Sequence, residues 1–444
     1  MFFGDTMIDI LNRILWAIAT GLILFSSVYF TLKLKFLQFN IKEILYNLFK
    51  KNDNSSGISP VKTLMLALAG RIGVGSIAGV ALAIYLGGVG SIFWMWVIGI
   101  ISSINAFSET VLGIIYKEKD QGDVFKGGPS YYIKKGLNNV KLGNIYAIFI
   151  LVSYIGGFIS IQSNTIAKSL AEIVEIDSSI IGIIICLSTA LIIFGGIKKI
   201  ANFTGKLVPF MTLFYLLVAV YIIICNIGMI PKVFSEIIIG AFNFNSFLFG
   251  FLPVFIIGIQ RGIFSNEAGL GTGSIASSIT NENNPASQGY VQMAGIYITT
   301  LIICTATAII ILTSNYQQLI LGDVNGIEIT QYAFNYHLGQ FGGVILFLFI
   351  LLFAFSTILT GYYYGESSLK YFHKNLKTIH LFILKLVTLI VLFLGSIISS
   401  TFLWKIVDIF VAILAIVNIY ALLSLRKDVK HELDYYNYKK YDKI

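Results

Sequence analysis

Predominantly apolar runs of bilayer-spanning length recur along this chain from end to end. A helix needs about 20 predominantly apolar residues to cross the hydrocarbon core. Runs of that kind lie near 12–31, 61–84, 90–116, 143–170, 180–196, 205–228, 250–277, 286–313, 340–364, 379–398 and 402–424. Inside lipid the backbone must satisfy its own polar groups, so each run is read as a helix. The expected fold is an all-α integral membrane protein with 11 transmembrane helices. Only 12% of the 444 residues are charged and 57% are apolar. Soluble domains carry about 25% charge, so a water-exposed surface could not be covered. Disorder is excluded by the same numbers. The first run is read as a retained helix and not a signal peptide. It lacks a basic leading segment, and Lys33 and Lys35 stand where cleavage would fall.

The net charge of +9 could suggest nucleic acid, but its placement argues for topology. Lys and Arg concentrate in 32–62, 117–141, 198–206, 366–377 and 426–443, which hold 24 of the 31 basic residues. With eleven spans, all five segments fall on one side, the cytoplasmic side by the positive-inside rule. The opposite side carries Arg13, Lys168 and Lys232, with Glu172, Glu175, Asp177, Asp323 and Glu328. A multi-pass plasma-membrane protein follows, with its N-terminus outside and its C-terminus cytoplasmic. Nucleic acid is set aside as a partner, and membrane lipid is the expected surroundings. Cys186, Cys225 and Cys304 lie in apolar runs and read as small buried residues. His337, His373, His380 and His431 form no ligand pattern.

With the first span set apart, ten remain and divide five and five. An odd number in each set means that the second enters from the opposite side, the inverted-repeat arrangement of many transporters. The implied organisation is 1–60 as a peripheral N-terminal helix with a basic cytoplasmic segment, and 61–228 as the first five-helix repeat. Then 229–424 is the second repeat with a preceding external segment, and 425–444 a cytoplasmic tail. The first span of each set is interrupted by glycine and polar residues, in Gly70-Arg71-Ile72-Gly73-Val74-Gly75-Ser76 and in Ser265-Asn266-Glu267-Ala268-Gly269-Leu270-Gly271. Short amphipathic stretches, Gly128–Ile133 and Ile329–Phe334, precede the third span of each set.

Matching interruptions point to a central binding site. Glycine lets a helix unwind, and the freed N–H and C=O groups need partners away from water. A carboxylate suits half-helix N-termini, and a small cation suits freed carbonyls. The competing reading is packing, because Gly75-x-x-x-Gly79 is also a small-residue helix face. A dinucleotide reading of Gly73-x-Gly75-x-x-Ala78 fails, since no strand precedes it and Phe93-Trp94-Met95-Trp96 stands where an acid belongs. Charges within spans are functional candidates. They are Arg71, Glu109, Arg261, Glu267, Lys385, Lys405 and Asp408. Lys405 and Asp408 have the spacing of a helix-surface pair. Arg71 and Glu267 could pair with each other or meet a substrate, and Glu109 is placed near the cytoplasmic end of its span. Ser356 and Thr357 could back-bond to the helix or ligate sodium through oxygen. Gln162 and Asn164 could be interhelical glue. Tyr362-Tyr363-Tyr364 reads as an interfacial aromatic belt.

Three segments resemble the alanine or glycine:cation symporters, also called sodium:alanine symporters. They are Gly70–Val97, Arg261-Gly262-Ile263-Phe264-Ser265-Asn266-Glu267-Ala268-Gly269-Leu270-Gly271, and Phe355–Leu359 with Tyr363-Tyr364-Gly365-Glu366. Weaker matches are Phe107-Ser108-Glu109, Gly127-Gly128-Pro129 and Lys206–Met211. The resemblance implies a five-plus-five inverted-repeat (LeuT-like) transporter fold with one extra N-terminal helix. It also implies sodium-coupled symport of a small neutral amino acid, with Na⁺ as the co-transported ion. By the same carry-over, Gly73, Gly75, Ser76, Gln162, Phe264, Ser265, Asn266, Gly269 and Gly361 surround the substrate. Ala69, Ile72, Phe353, Ser356 and Thr357 surround sodium. Ser76 stands where this family usually has Asn, and Gly361 where Trp is common. The second departure should widen the pocket, making glutamine plausible beside alanine or glycine. Val89 and Val417 replace common prolines, with no consequence drawn. Alternatives are proton coupling through Glu267 and, more distantly, an intramembrane enzyme or a channel. The spans contain neither a nucleophile–base set nor repeated rings of charge.

Overall fold

A computed structural model of the chain describes residues 7–50, 58–120, 125–171, 173–242, 250–281, 284–320, 326–372 and 378–441. Glu172, Asp323 and His373, named above, lie outside them. Almost every described element is helical. The first elements are α1 (Met7–Lys33), the short α2 (Ile41–Phe49), α3 (Pro60–Arg71), α4 (Ala78–Gly87) and α5 (Ser91–Ile115). A two-stranded hairpin, β1 (Glu118–Lys119) and β2 (Phe125–Lys126), leads into α6 (Pro129–Gly136). Then come α7 (Val140–Ala171), α8 (Ser178–Ile193), α9 (Gly196–Cys225) and α10 (Ile230–Ala241). The second half holds α11 (Leu252–Asn266), α12 (Thr272–Ser277), α13 (Pro285–Leu312) and α14 (Gly326–Leu338). It closes with α15 (Gly342–Phe372), α16 (Thr378–Ile397), α17 (Ser400–Ser424) and α18 (Arg426–Tyr441).

Among the described residues, eight helical stretches are long and apolar enough to cross a membrane, and Ala78–Gly87 and Ser178–Ile193 are shorter apolar helices. Local chemistry sets their starts. Ser59, Asn139, Asp177 and Asn284 accept N–H groups of the first turns they precede. Pro60 and Pro285 sit where a missing N–H costs nothing. Outward faces are apolar: Phe210, Leu213, Leu217 and Ile224 of α9 are all exposed, the pattern of a lipid-facing helix.

Packing sorts the helices into two groups. In one, α5 packs against α11 and α13, and α3 and α4 join them. In the other, α7, α8, α15 and α16 pack together. Against the first group, α1 lies along α5 and α17, where Trp16 Nε1 donates to the Asp408 carbonyl at 3.0 Å. Val152–Phe158 within α7 and Tyr297–Cys304 within α13 are π-helical stretches. Such bulges collect at functional sites.

Several sequence readings are corrected. Tyr362, Tyr363 and Tyr364 are buried, so they form no interfacial belt. Lys405 does not pair with Asp408. It bonds Asp9 of α1 at 2.8 Å, while Asp408 takes the Arg261 guanidinium. Their spacing along one helix was outcompeted by opposite charges on neighbouring helices. Glu109 stands in the last two turns of α5, as read from the sequence, and its carboxylate is fully buried against the second interruption. Cys225 is exposed, at the end of a helix whose outer face is apolar from Phe210 onward.

Candidate substrate and ion site

Both interrupted spans are broken in space as in sequence. At the first, α3 ends at Arg71, Gly73 is extended, and Val74–Ser76 forms one tight turn before α4. At the second, Glu267, Gly269 and Gly271 all adopt positive φ between α11 and α12. Two of these positions are glycine because a left-handed residue bears no steric penalty there. Glu267, with φ 56°, holds that conformation without such relief.

The end of α3 exposes carbonyls that its own helix cannot satisfy. The hydroxyls of α15 meet them. Ser356 Oγ donates to the Ala69 carbonyl at 3.2 Å and has the Phe353 carbonyl at 2.8 Å. Thr357 Oγ1 lies 2.9 Å from the Ala69 carbonyl, 3.0 Å from that of Phe353 and 3.4 Å from that of Gly70. Ala69, Phe353, Ser356 and Thr357 therefore meet at one buried point, an all-oxygen cluster of the hardness sodium favours. Ile72 is buried just beyond it. A methyl group on Gly73 would come within 2.5 Å of Thr357 Oγ1 and 3.2 Å of the Gln162 amide, so only glycine fits. Gln162 Oε1 accepts the Val74 N–H at 3.2 Å.

Ser76 and Ser265 bring the two breaks together, with hydroxyls 3.2 Å apart. Phe264 covers the first break: a methyl group on Gly75 would lie 3.0 Å from its ring. Gly73, Gly75, Ser76, Gln162, Phe264 and Ser265 thus enclose one interior region. Gly361 stands at its flank, where an added methyl group would meet Ile159 at 3.4 Å and Tyr154 at 3.5 Å. Two others sit behind the turn. Asn266 spends its side chain on Thr300 at 3.1 Å and on the Ala268 N–H at 2.9 Å. Gly269 faces Ile419 and Asn105, and its carbonyl accepts Asn418 Nδ2 at 2.9 Å.

Sequence reasoning missed the aromatic wall and the thiol. Tyr154 stacks on Phe158 with centroids 4.4 Å apart, Phe158 on Phe264 at 5.2 Å, and Phe264 meets Trp404 at 4.8 Å. Cys304 Sγ lies 3.0 Å from Ser265 Oγ, and Thr307 Oγ1 donates to the Ser76 carbonyl at 2.8 Å. The one signal for Tyr154 and Phe158 was Gly156-Gly157 between them, within the π-helical stretch. The intramembrane charges also found partners unreadable in sequence. Arg71 Nη1 donates to Gln292 Oε1 at 3.1 Å, and Glu267 accepts Tyr154 and Thr272 hydroxyls, both at 2.7 Å. Asn164 bridges to the Gly395 and Ile398 carbonyls, a link between α7 and α16.

Apolar spanning helices, two of them broken at a buried polar centre, define a multi-pass membrane transporter. A solved structure shares the fold: a manganese transporter from Eremococcus coleocola, with TM-score 0.53 and 14% identity, over 82% of this chain and 76% of that one. The chain belongs to the sodium:alanine symporter family, whose model matches residues 1–443. It is 36% identical over 446 residues to the Bacillus subtilis protein named "Probable sodium/glutamine symporter GlnT", covering 97% of this chain and 92% of that one. It is 34% identical over 445 residues to "Sodium/alanine symporter AgcS" of Methanococcus maripaludis, covering 97% of each. Its relatives are transporters, not enzymes.

Proposed function

We propose that this protein is a sodium-coupled symporter that carries a small neutral amino acid inward by alternating access. One observation carries the reading: both broken helices face a buried polar centre in which the Gly73 backbone is wedged between Thr357 and Gln162. Membership in the sodium:alanine symporter family supports it.

In this reading the chain crosses the membrane eleven times, with α3 and α4 as one span and α11 and α12 as another. The ten spans after α1 form two inverted sets of five. The N-terminus lies outside and α18 in the cytoplasm. Sodium sits among the carbonyls of Ala69, Ile72 and Phe353 and the hydroxyls of Ser356 and Thr357. On binding, those hydroxyls turn their hydrogens away and present lone pairs. The substrate carboxylate meets the backbone at Gly73, Gly75 and Ser76, with Gln162 and Ser265 orienting it and Phe264 closing over it. Asn266 and Gly269 shape the turn behind Ser265. Gly361 leaves room for a side chain longer than that of alanine, and relatives named for alanine and for glutamine bracket the size range.

One Na⁺ moving through about 100 mV releases about 2.3 kcal/mol. That supports an amino-acid gradient of about 50-fold before any sodium gradient is added. The test is uptake into proteoliposomes across neutral amino acids of graded size, with sodium or potassium outside. Sodium-dependent uptake of at least one of them is expected. Uptake indifferent to sodium throughout the series would refute the reading.

A further inference from the structure

Three charged side chains are buried together beside the two breaks. Arg71 is 2% exposed, Glu109 0% and Glu267 1%. They come from the end of α3, the last two turns of α5 and the turn before α12. Arg71 bears electrostatically on both carboxylates. Among the described residues, neither carboxylate closes to ion-pair distance of it. The remaining groups around them are neutral. Tyr154, Tyr146, Tyr132 and Tyr364 face the carboxylates from α7, α6 and α15. Asn418 of α17 donates to Glu109 Oε2 at 3.2 Å, and Gln292 of α13 takes Arg71. The other buried cation nearby, Arg261, is already matched by Asp408.

The charge count does not close. Two carboxylates and one guanidinium leave an excess negative charge in a medium where an uncompensated charge is very costly. We propose that Arg71, Glu109 and Glu267 form an occluded proton site, in which the two carboxylates share one guanidinium and one retained proton.

The hydrogen bonds say where the proton rests. Glu109 Oε2 receives two N–H donors, the Gly271 amide at 3.0 Å and Asn418, and neither donor can accept in return. Its Oε1 has no partner and lies with Arg71 Nη2 against Gly273, where an added methyl group would meet them at 2.9 and 2.4 Å. A proton on Oε1 would face a guanidinium that cannot accept it, and this leaves the ionised role to Glu109. Glu267 touches the hydroxyls of Tyr154 and Thr272, and a hydroxyl can reverse from donor to acceptor. Glu267 can hold the proton and donate it to either one. Arg71 Nε and Nη2, Glu109 Oε1, Gln292 Nε2 and the Tyr364 hydroxyl are all buried without a partner. Such a set calls for internal water, the means by which this proton would exchange.

The inference predicts a pattern that an isolated neutral acid would not give. Infrared spectroscopy of the purified full chain in sodium-free choline medium at neutral pH reads carboxylic-acid C=O absorption, checked by its shift in heavy water. Relative to wild type, Glu267→Gln should lose the signal of one carboxylic acid. Glu109→Gln should lose the same signal, because Glu267 then has Arg71 to itself and ionises. Arg71→Met should add the signal of one acid, and Arg71→Lys should leave it unchanged. Loss in only one of the two Gln variants, or in neither, overturns the shared site. Should one Gln variant fail to fold, the opposite responses of Arg71→Met and Arg71→Lys still decide. An unchanged signal in Arg71→Met would then refute the site. No transport is measured, so the result stands apart from the symport reading.

Discussion

At the residue scale, the site is governed by close approaches that tolerate no added atom. Gly73→Ala would press a methyl group to 2.5 Å from Thr357 Oγ1. Overpacking of this kind costs about 1–3 kcal/mol. The expected outcome is a protein that still inserts but melts earlier, with uptake reduced by at least tenfold, checked by thermal unfolding in detergent beside uptake. Thr357→Ala removes one oxygen from the cluster around the Ala69 carbonyl while leaving Ser356. Its half-saturating sodium concentration should rise about tenfold, equivalent to about 1.4 kcal/mol, and Thr357→Ser should restore it. Gly361→Trp fills the space beside Ile159 and Tyr154. Competition assays should show glutamine losing at least tenfold against alanine, and equal losses for both would remove Gly361 from the size filter. The residues of these contacts stood out in the sequence because glycine, serine and threonine interrupt apolar runs. Their partners did not, since Tyr154, Phe158, Trp404 and Cys304 look like ordinary membrane residues until the helices are placed side by side.

At the scale of elements, the helices were legible because lipid enforces them: apolar runs mark α5, α7 and α13, and in the structure Asn139 and Asn284 cap the last two. Which helices touch was not legible, and the buried charges show why. Asp408 has Lys405 three residues away on its own helix, yet it pairs with Arg261 of α11. A desolvated pair between helices outweighs a spacing rule derived for exposed helix surfaces. The tail also exceeded its sequence description. α18 folds back on α2, where Lys440 and the Tyr436 hydroxyl both bond the Glu43 carboxylate. Asn47 and Ser287 extend the cluster to the start of α13. Burial alone would raise the pKa of Glu43, but the bonds from Lys440 and Tyr436 outweigh it and hold the carboxyl below its ordinary value of 4.5. A lowered folded-state pKa contributes stability that is complete above the ordinary value and lost as pH falls through the folded one. Docking of α18 should therefore be unchanged between pH 8 and 6 and weaken only below about 4.5. Acid-active protease cleavage within 426–441, compared between wild type and Glu43→Gln, reads this. Glu43→Gln should be cleaved readily even at pH 6.

At the scale of the whole molecule, the two packing groups meet around the buried centre, and the proposed alternating access would work between them. One group carries both breaks, and the other presents Ser356, Thr357 and Gln162 to them. Motion of one against the other would expose the centre to either side in turn. The proposed division into two sets of five is a separate matter from these packing groups and rests on the paired glycine interruptions, each of which marks a place where a helix does not continue. The coupling ion is the central claim, and accumulation in proteoliposomes under a single imposed gradient tests it most directly. An inward sodium gradient at equal pH should concentrate labelled alanine or glutamine above its external level, and a pH gradient without sodium should not. Accumulation driven by the pH gradient alone would contradict the account and assign the coupling to Glu267.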